Sequence, residues 1–351
     1  MTGDDLDLTL LGQLCEVAGP SGREERVRAI VEPRLAQMCD RVEADPLGGV
    51  AGVRGNGPRL MLAAHLDEIG LMVTHVDDAG FIRFLTLGGW DAKTLITQRV
   101  TVHGREDIPG VVGTPPVHIL TAEQRTKLPE IGTLSIDVGL PVERVRELVR
   151  PGDVITRSRE LLPMGDVLTG KSLDDRVGVF VMLEAVRTAG ASACELWAAA
   201  TVQEEVGLRG SRVAAERVEP SIAIAIDPCP ANDGAGGDRE GPGTTLGDGA
   251  AIRIMDASAI GSPELVEHLT RIAEERDIPH QFHVANRGGT DTRELQLSGR
   301  GSIAGCVSIP SRYVHSSVEV CHPADIAAAI DLVAAAIETV HVLADDTTGD
   351  G

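Results

Sequence analysis

The chain has 351 residues, room for one large domain or two, and 42% apolar but only 2% aromatic residues, so its core must be built from Ala, Val, Leu and Ile. A net charge of −21 argues against nucleic acid or an anionic membrane as a partner. No stretch reaches the roughly 18 apolar residues of a membrane span.

Residues 6–19 have apolar positions at helical spacing and stop at Gly19-Pro20. Ser21 and Glu24 then form a capping box that opens a second helix through about residue 38. Strands are expected at 41–44, 49–54 and 59–64. Between residues 71 and 157 short alternating segments are punctuated by Gly and Pro, and only 142–149 reads as helical. That texture predicts an all-β insertion of roughly 90 residues, a small barrel or sandwich. An α/β pattern returns after Gly165, with helices at 174–189, 211–218, 263–276 and 324–340. Strands alternate with them at 196–203, 221–227, 251–258 and 302–309. The Gly-rich run 228–248 is long enough to be a functional or mobile loop. The tail, 345–351, is expected to be disordered.

The amino terminus has neither the basic nor the apolar part of a secretory signal. The six cysteines form no C-x-x-C pair and read as buried thiols of a reducing compartment, so a cytoplasmic protein is expected.

Several apolar runs end in an acid or a histidine, which aims that side chain at the rim of a sheet, where open α/β folds place their sites. His65 ends one such run, and Asp67, two residues on, shares its face in extended chain. The acid could then orient the imidazole through its second nitrogen. Asp174 and Asp175 stand at the start of a helix, where either could simply cap it. One of them with both oxygens free could bridge two ions, and the residues leave open which. Glu204 and Glu205 directly end a core strand, so their side chains must diverge. One could ligate a metal while the other acts as a general base on water. A glycosidase also needs two carboxylates, but sequence neighbours rarely oppose each other across the roughly 5–9 Å that chemistry demands. Asp227 closes the apolar run 221–226, and His315 sits in a Ser-rich turn after a strand. Either alone would read as a turn or cap residue; their weight lies in completing the set. Two imidazoles and several carboxylates without a cysteine suit a pair of zinc or similar ions. His75, His103, His118 and His322 lack such a context, and His268 falls on an exposed helical face. His280 and His283 share a short segment that could line a pocket, though a structural role is favoured.

These segments, in this order, resemble the motifs of the tetrahedral (TET-type) aminopeptidase family, the dinuclear metallopeptidases that include glutamyl and deblocking aminopeptidases. AAHLDEIGLMV, GKSLDDRVGV, TVQEEVGLRGS, AIDPCP, NRGGTD and IPSRYVHSSVEV carry the likeness, which runs from about Leu8 to Val340. It implies a zinc-exopeptidase-like α/β fold, a mixed central sheet sandwiched by helices, interrupted by a small β-barrel dimerisation domain. The divisions expected are 1–68 and 163–344 for the catalytic domain, 69–162 for the barrel and 345–351 for the tail. The likeness also implies roles. Asp174 would bridge two divalent ions, Glu205 and His315 would complete one site, and His65 and Asp227 the other. Glu204 would be the general base and Asp67 would orient His65. Gly288, Gly289, Thr290 and Asp291 would line the substrate pocket. The chain departs from the family at Thr292, Arg293 and Glu294, where small residues are usual, which puts side-chain preference in doubt.

The expected activity is removal of the amino-terminal residue from short peptides with a free amino terminus, by a water held between the two ions and activated by Glu204. Zinc is the first expectation for the metal, with cobalt or manganese the alternatives. A homo-oligomer, a dodecamer built from dimers, is implied by the resemblance alone. The alternatives are a related dinuclear deacylase or carboxypeptidase, or a non-catalytic assembly or binding protein.

Overall fold

A computed structural model describes residues 2–346 apart from 128, 236 and 238–242. Two separate sheets organise the described residues. The larger has eleven strands, and its centre is four neighbouring parallel strands: Glu195–Thr201, Arg59–His65, Ile222–Pro230 and Ile303–Arg312. Antiparallel strands extend both edges, from Arg41–Ala44 on one side to the hairpin Leu162–Met164/Val167–Gly170 on the other. Strands Ala250–Met255 and His280–Val284 form a branch off Ile303–Arg312. The second sheet is a closed barrel of six antiparallel strands, beginning at Gly70–Val76 and ending at Val154–Arg157.

The central strands are buried on both faces, which is why they read as continuous apolar runs rather than alternating ones. Helix Leu173–Thr188 is buried along most of its length and packs against the sheet and the Ala-rich helix Pro323–Thr339. With few aromatic residues available, buried alanines take a large share of that contact. The barrel keeps its own core of Leu, Val and Ile with Phe84. Its strand Asp107–Gly113 alternates exposed and buried residues along its whole length, the period-2 pattern that marks a half-buried strand.

Two short helices, Ala92–Leu95 and Ala122–Thr126, join Val142–Leu148 in the insertion, where the sequence predicted only the last. At four and five residues they are too short to show helical periodicity. The expected capping box at Ser21 does not form: helix Glu25–Met38 has no side-chain cap, because Ser21 and Glu24 bond elsewhere. His268 is buried rather than exposed, with Nε2 2.9 Å from the Thr339 hydroxyl. Strand Ile222–Pro230 runs past Asp227 into the Gly-rich segment. Of the tail, Asp345 and Asp346 end the helix His341–Asp346, and 347–351 lie outside the described residues.

Candidate metal centre and active site

The parallel strands deliver their last residues to one rim of the large sheet. His65 ends its strand directly opposite Thr201, and Glu204 and Glu205 follow three and four residues later. Asp227 lies in the adjacent strand, in register with Ser308. Helix Leu173–Thr188 begins beneath that rim, and its second and third residues, Asp174 and Asp175, have non-helical backbone angles across a cis peptide bond. His315 sits in a turn after Ile303–Arg312, with a left-handed φ of +62°.

The side chains converge. Asp174 reaches both histidines: Oδ1 lies 3.3 Å from His65 Nε2 and Oδ2 lies 3.4 Å from His315 Nε2. Glu205 Oε1 is 3.3 Å from the same His315 nitrogen, while Glu204 Oε2 is 3.9 Å from His65 Nε2. Ligand atoms of His65, Glu204 and Asp227 all lie within 4.8 Å of one another, and so do those of Asp174, Glu205 and His315. By distance alone, then, Glu204 belongs with the first group. Asp175 takes no part: its carboxylate accepts from the backbone amides of His65 at 2.9 Å and Gly178 at 3.1 Å.

Asp67 is fully buried. Its backbone carbonyl, at 3.1 Å, is nearer His65 Nδ1 than its carboxylate, at 3.5 Å. The carboxylate instead accepts from Ser21 Oγ at 2.6 Å and from the amides of Glu204 at 2.9 Å and Glu205 at 3.2 Å. This is where the serine of the expected capping box is used. Glu24 likewise accepts from the amide of Gln203 at 3.1 Å, bracing the same loop.

Electrostatics mark the centre as short of positive charge. Burial would lower His65, but Glu204, Asp174 and Asp67 outweigh it and hold the imidazole well above its ordinary range. Burial also works against His315, yet its bonds to Asp174 and Glu205 lift it to about 11. Burial and the nearby Asp174 push Asp227 up to about 8, against the pull of Arg253 4.0 Å away. Burial raises Glu204 well above the carboxylate range, with Asp227 and Glu205 adding to it. Asp174 runs the other way: burial opposes, but its two imidazole bonds hold it below the usual range. The metal-free chain therefore gathers protons where cations would bind, and a metal ion would displace them. Two imidazoles and four carboxylates, with no thiolate, fit divalent ions of borderline hardness.

The cluster opens into a cavity of about 1110 Å³. Gly288 and Gly289 line it, whereas Thr290 and Asp291 lie buried behind its wall. Asp291 there accepts from Thr201 Oγ1 at 2.6 Å, and Thr290 donates to Asp256 at 3.2 Å. Thr292 is buried, and Arg293 and Glu294 pair with each other at 3.1 Å. His283 also lines the cavity, held neutral by burial and the nearby Arg253, which lower it to about 4.

Sequence reasoning missed a contribution from the insertion. Gly88 and Gly89, beyond the second barrel strand, press on the centre: a Cβ on Gly88 would stand 3.2 Å from Glu205 Oε2, and one on Gly89 3.2 Å from His315 Nδ1. The paired glycines before Trp90 were the available signal, since close backbone approach is a standard reason for glycine. Trp90 anchors this loop by donating to the Gly70 carbonyl at 3.0 Å.

The M42 glutamyl aminopeptidase family profile matches residues 48–332. The lysyl aminopeptidase of Pyrococcus furiosus is 34% identical over 95% of this chain and 97% of its own length. Among solved structures, an aminopeptidase from the archaeon Desulfurococcus kamchatkensis matches with a TM-score of 0.93 at 38% identity, covering 97% of both chains. The TET1 peptidase of Pyrococcus horikoshii, which can assemble into a tetrahedron or a large octahedral shell, matches with a TM-score of 0.86 at 31% identity. That match covers 95% of this chain and 99% of the other.

Proposed function

The chain belongs to the M42 glutamyl aminopeptidase family, and on that premise we propose how its centre serves a metal-dependent aminopeptidase. One observation carries the proposal: the Asp174 carboxylate stands between two imidazoles, 3.3 Å from one and 3.4 Å from the other. Asp174 would be the ligand shared by two divalent ions, zinc before cobalt or manganese, with His65 and Asp227 completing the inner site and Glu205 and His315 the outer. Bound there, such ions supply Lewis acidity toward the scissile carbonyl and toward water.

The protein's own groups do the rest. Glu204 diverges from its neighbour Glu205 and is the general base: it takes a proton from the attacking water and returns it to the departing amine. Asp67 orients His65 through its backbone carbonyl, while its carboxylate fixes both glutamates through their amides. Gly288 and Gly289 leave space for the first residue of a short peptide, with Thr290 and Asp291 stiffening the wall behind them.

Glu204→Gln should retain metal and lose on the order of 10²–10⁴ in turnover. Full turnover in a metal-loaded variant would remove Glu204 from the role. Free-amine against amino-blocked peptides separates an aminopeptidase from a deacylase or carboxypeptidase on the same centre.

The domain division 1–68 with 163–344, around 69–162, belongs to this proposal. So does assembly into a dodecamer through dimers of the barrel, which leaves Val117 and Ile119 exposed; mass photometry checks it. The six cysteines, each a thiol rather than half of a disulfide, support a cytoplasmic location.

A further inference from the structure

The segments that carry the ligands are themselves held, and the holders are three buried carboxylates outside the ligand set. Asp67 accepts from the amides of Glu204 and Glu205, and Asp175 from that of His65. Glu319 does the same for the segments of Asp174 and His315. Its Oε2 accepts from the Asp174 amide at 3.0 Å and its Oε1 from the His315 amide at 3.0 Å. Each oxygen serves one ligand of the outer cluster.

Position makes this possible. Glu319 begins the short strand Glu319–Cys321, which pairs with Ile303–Arg312 on one side and Val167–Gly170 on the other. The first neighbour leads into His315 and the second into Asp174. The side chain is 1% exposed. Arg157, from the last barrel strand, faces the same spot: it donates to the Ser316 carbonyl and stacks over Trp90, 5.2 Å from the ring centre.

The outer ligands need such a support because regular structure gives them little. Asp174 has φ −79° and ψ +109° inside an otherwise helical segment, and His315 sits at φ +62°. Neither backbone is held by a strand ladder, whereas His65 and Asp227 lie within paired strands. Two hydrogen bonds from amides to one buried carboxyl group can hold turns that the ladder does not, because leaving those groups unpaired would be costly.

We infer that Glu319 is a positioning residue that sets the geometry of Asp174 and His315 together and so tunes the affinity of the outer ion selectively. The inference rests on the assignment of Asp174, Glu205 and His315 to one ion. Glu319→Gln keeps the volume but has one oxygen, and it turns an NH₂ group toward the second amide.

The test is calorimetric titration of metal-stripped full-length protein with Co²⁺, wild type against Glu319→Gln, with the visible cobalt spectrum followed at each equivalent. Outer-shell partners of metal ligands are worth about 10–100-fold in affinity, so one binding step should weaken by that factor while the other stays within about threefold. The cobalt spectrum of the weakened step should change as well. A loss of general stability would lower the melting temperature of the metal-free protein without altering the ratio of the two steps. Should Glu319→Gln fail to fold, Glu319→Asp keeps a carboxyl group beside Arg157 but is one methylene too short to span both amides; the same selective weakening is expected. Steps that move together, or do not move, overturn the role. A wild type that takes up only one ion overturns the two-ion reading itself, and this inference with it.

Discussion

The two clusters proposed to hold the inner and the outer ion lie side by side but are built from different material. His65 and Asp227 lie in paired strands and are buried, so the sheet ladder fixes their backbones. Asp174, Glu205 and His315 come from turns and a helix start, and the His315 side chain is 36% exposed against 2% for His65. The inner position is thus rigid by virtue of the fold, while the outer depends on side-chain to backbone bonds from Asp67 and Glu319. The sheet supplies a rim, and a few buried carboxylates turn that rim into a centre with two unequal halves.

The comparison breaks most readily at its shared member. Asp174→Asn should cost both ions, and with them more than the roughly 10–100-fold in affinity that an outer-shell change costs. Elemental analysis of the purified variant reads this directly; two ions retained at wild-type affinity would mean that the halves are joined elsewhere.

A second, smaller effect separates the halves by pH in metal-free protein. Asp227 is raised from 3.8 to about 8, so the folded chain keeps a proton that the unfolded chain has shed. Its contribution is present at low pH and is lost as pH rises toward 8. His315 is raised from 6.5 to about 11; its contribution is full below 6.5 and is lost as pH climbs to about 11. Both signs agree, so melting temperature in chelator should fall from pH 6 to pH 10, the inner group losing its share first. Metal affinity should rise over the same range, because ligands must shed protons to bind. A melting temperature that climbs with pH in chelator would contradict both shifts.

The smallest effect concerns the loop both halves share. Ser21→Ala removes the 2.6 Å bond to Asp67 but leaves two amides on that carboxylate. A hydrogen bond to a charged group contributes about 1.5–3 kcal/mol, and urea unfolding should show a loss in that range with metal stoichiometry unchanged. An unaltered unfolding midpoint would show that Ser21 is not part of the bracing.

Much of this was legible because it is local. Apolar runs ending at His65 and Asp227 announced strands that carry those residues to a rim, and alternation in segments such as 99–104 announced the barrel. The parts that were not legible depend on distant partners. Ser21 and Glu24 satisfied every local rule for a capping box, yet Ser21 bonds across 46 residues and Glu24 across 179. Glu319 holds Asp174 from 145 residues away, and no periodicity registers such a contact. The two aspartates at 174 and 175 were equivalent as neighbours at a helix start; their different bonding partners separate them.

Composition, hydrophobic period and the order of the acid and histidine segments were enough to specify an α/β sheet, an inserted β unit and the chemical character of the centre, since each is encoded within a few consecutive residues. Which carboxylate faces the histidines, which ones are spent on amides, and how far each half is braced were decided only when segments far apart in the chain met. Those choices follow from hydrogen-bond geometry between buried groups, where an unpaired polar atom costs too much to be left to chance.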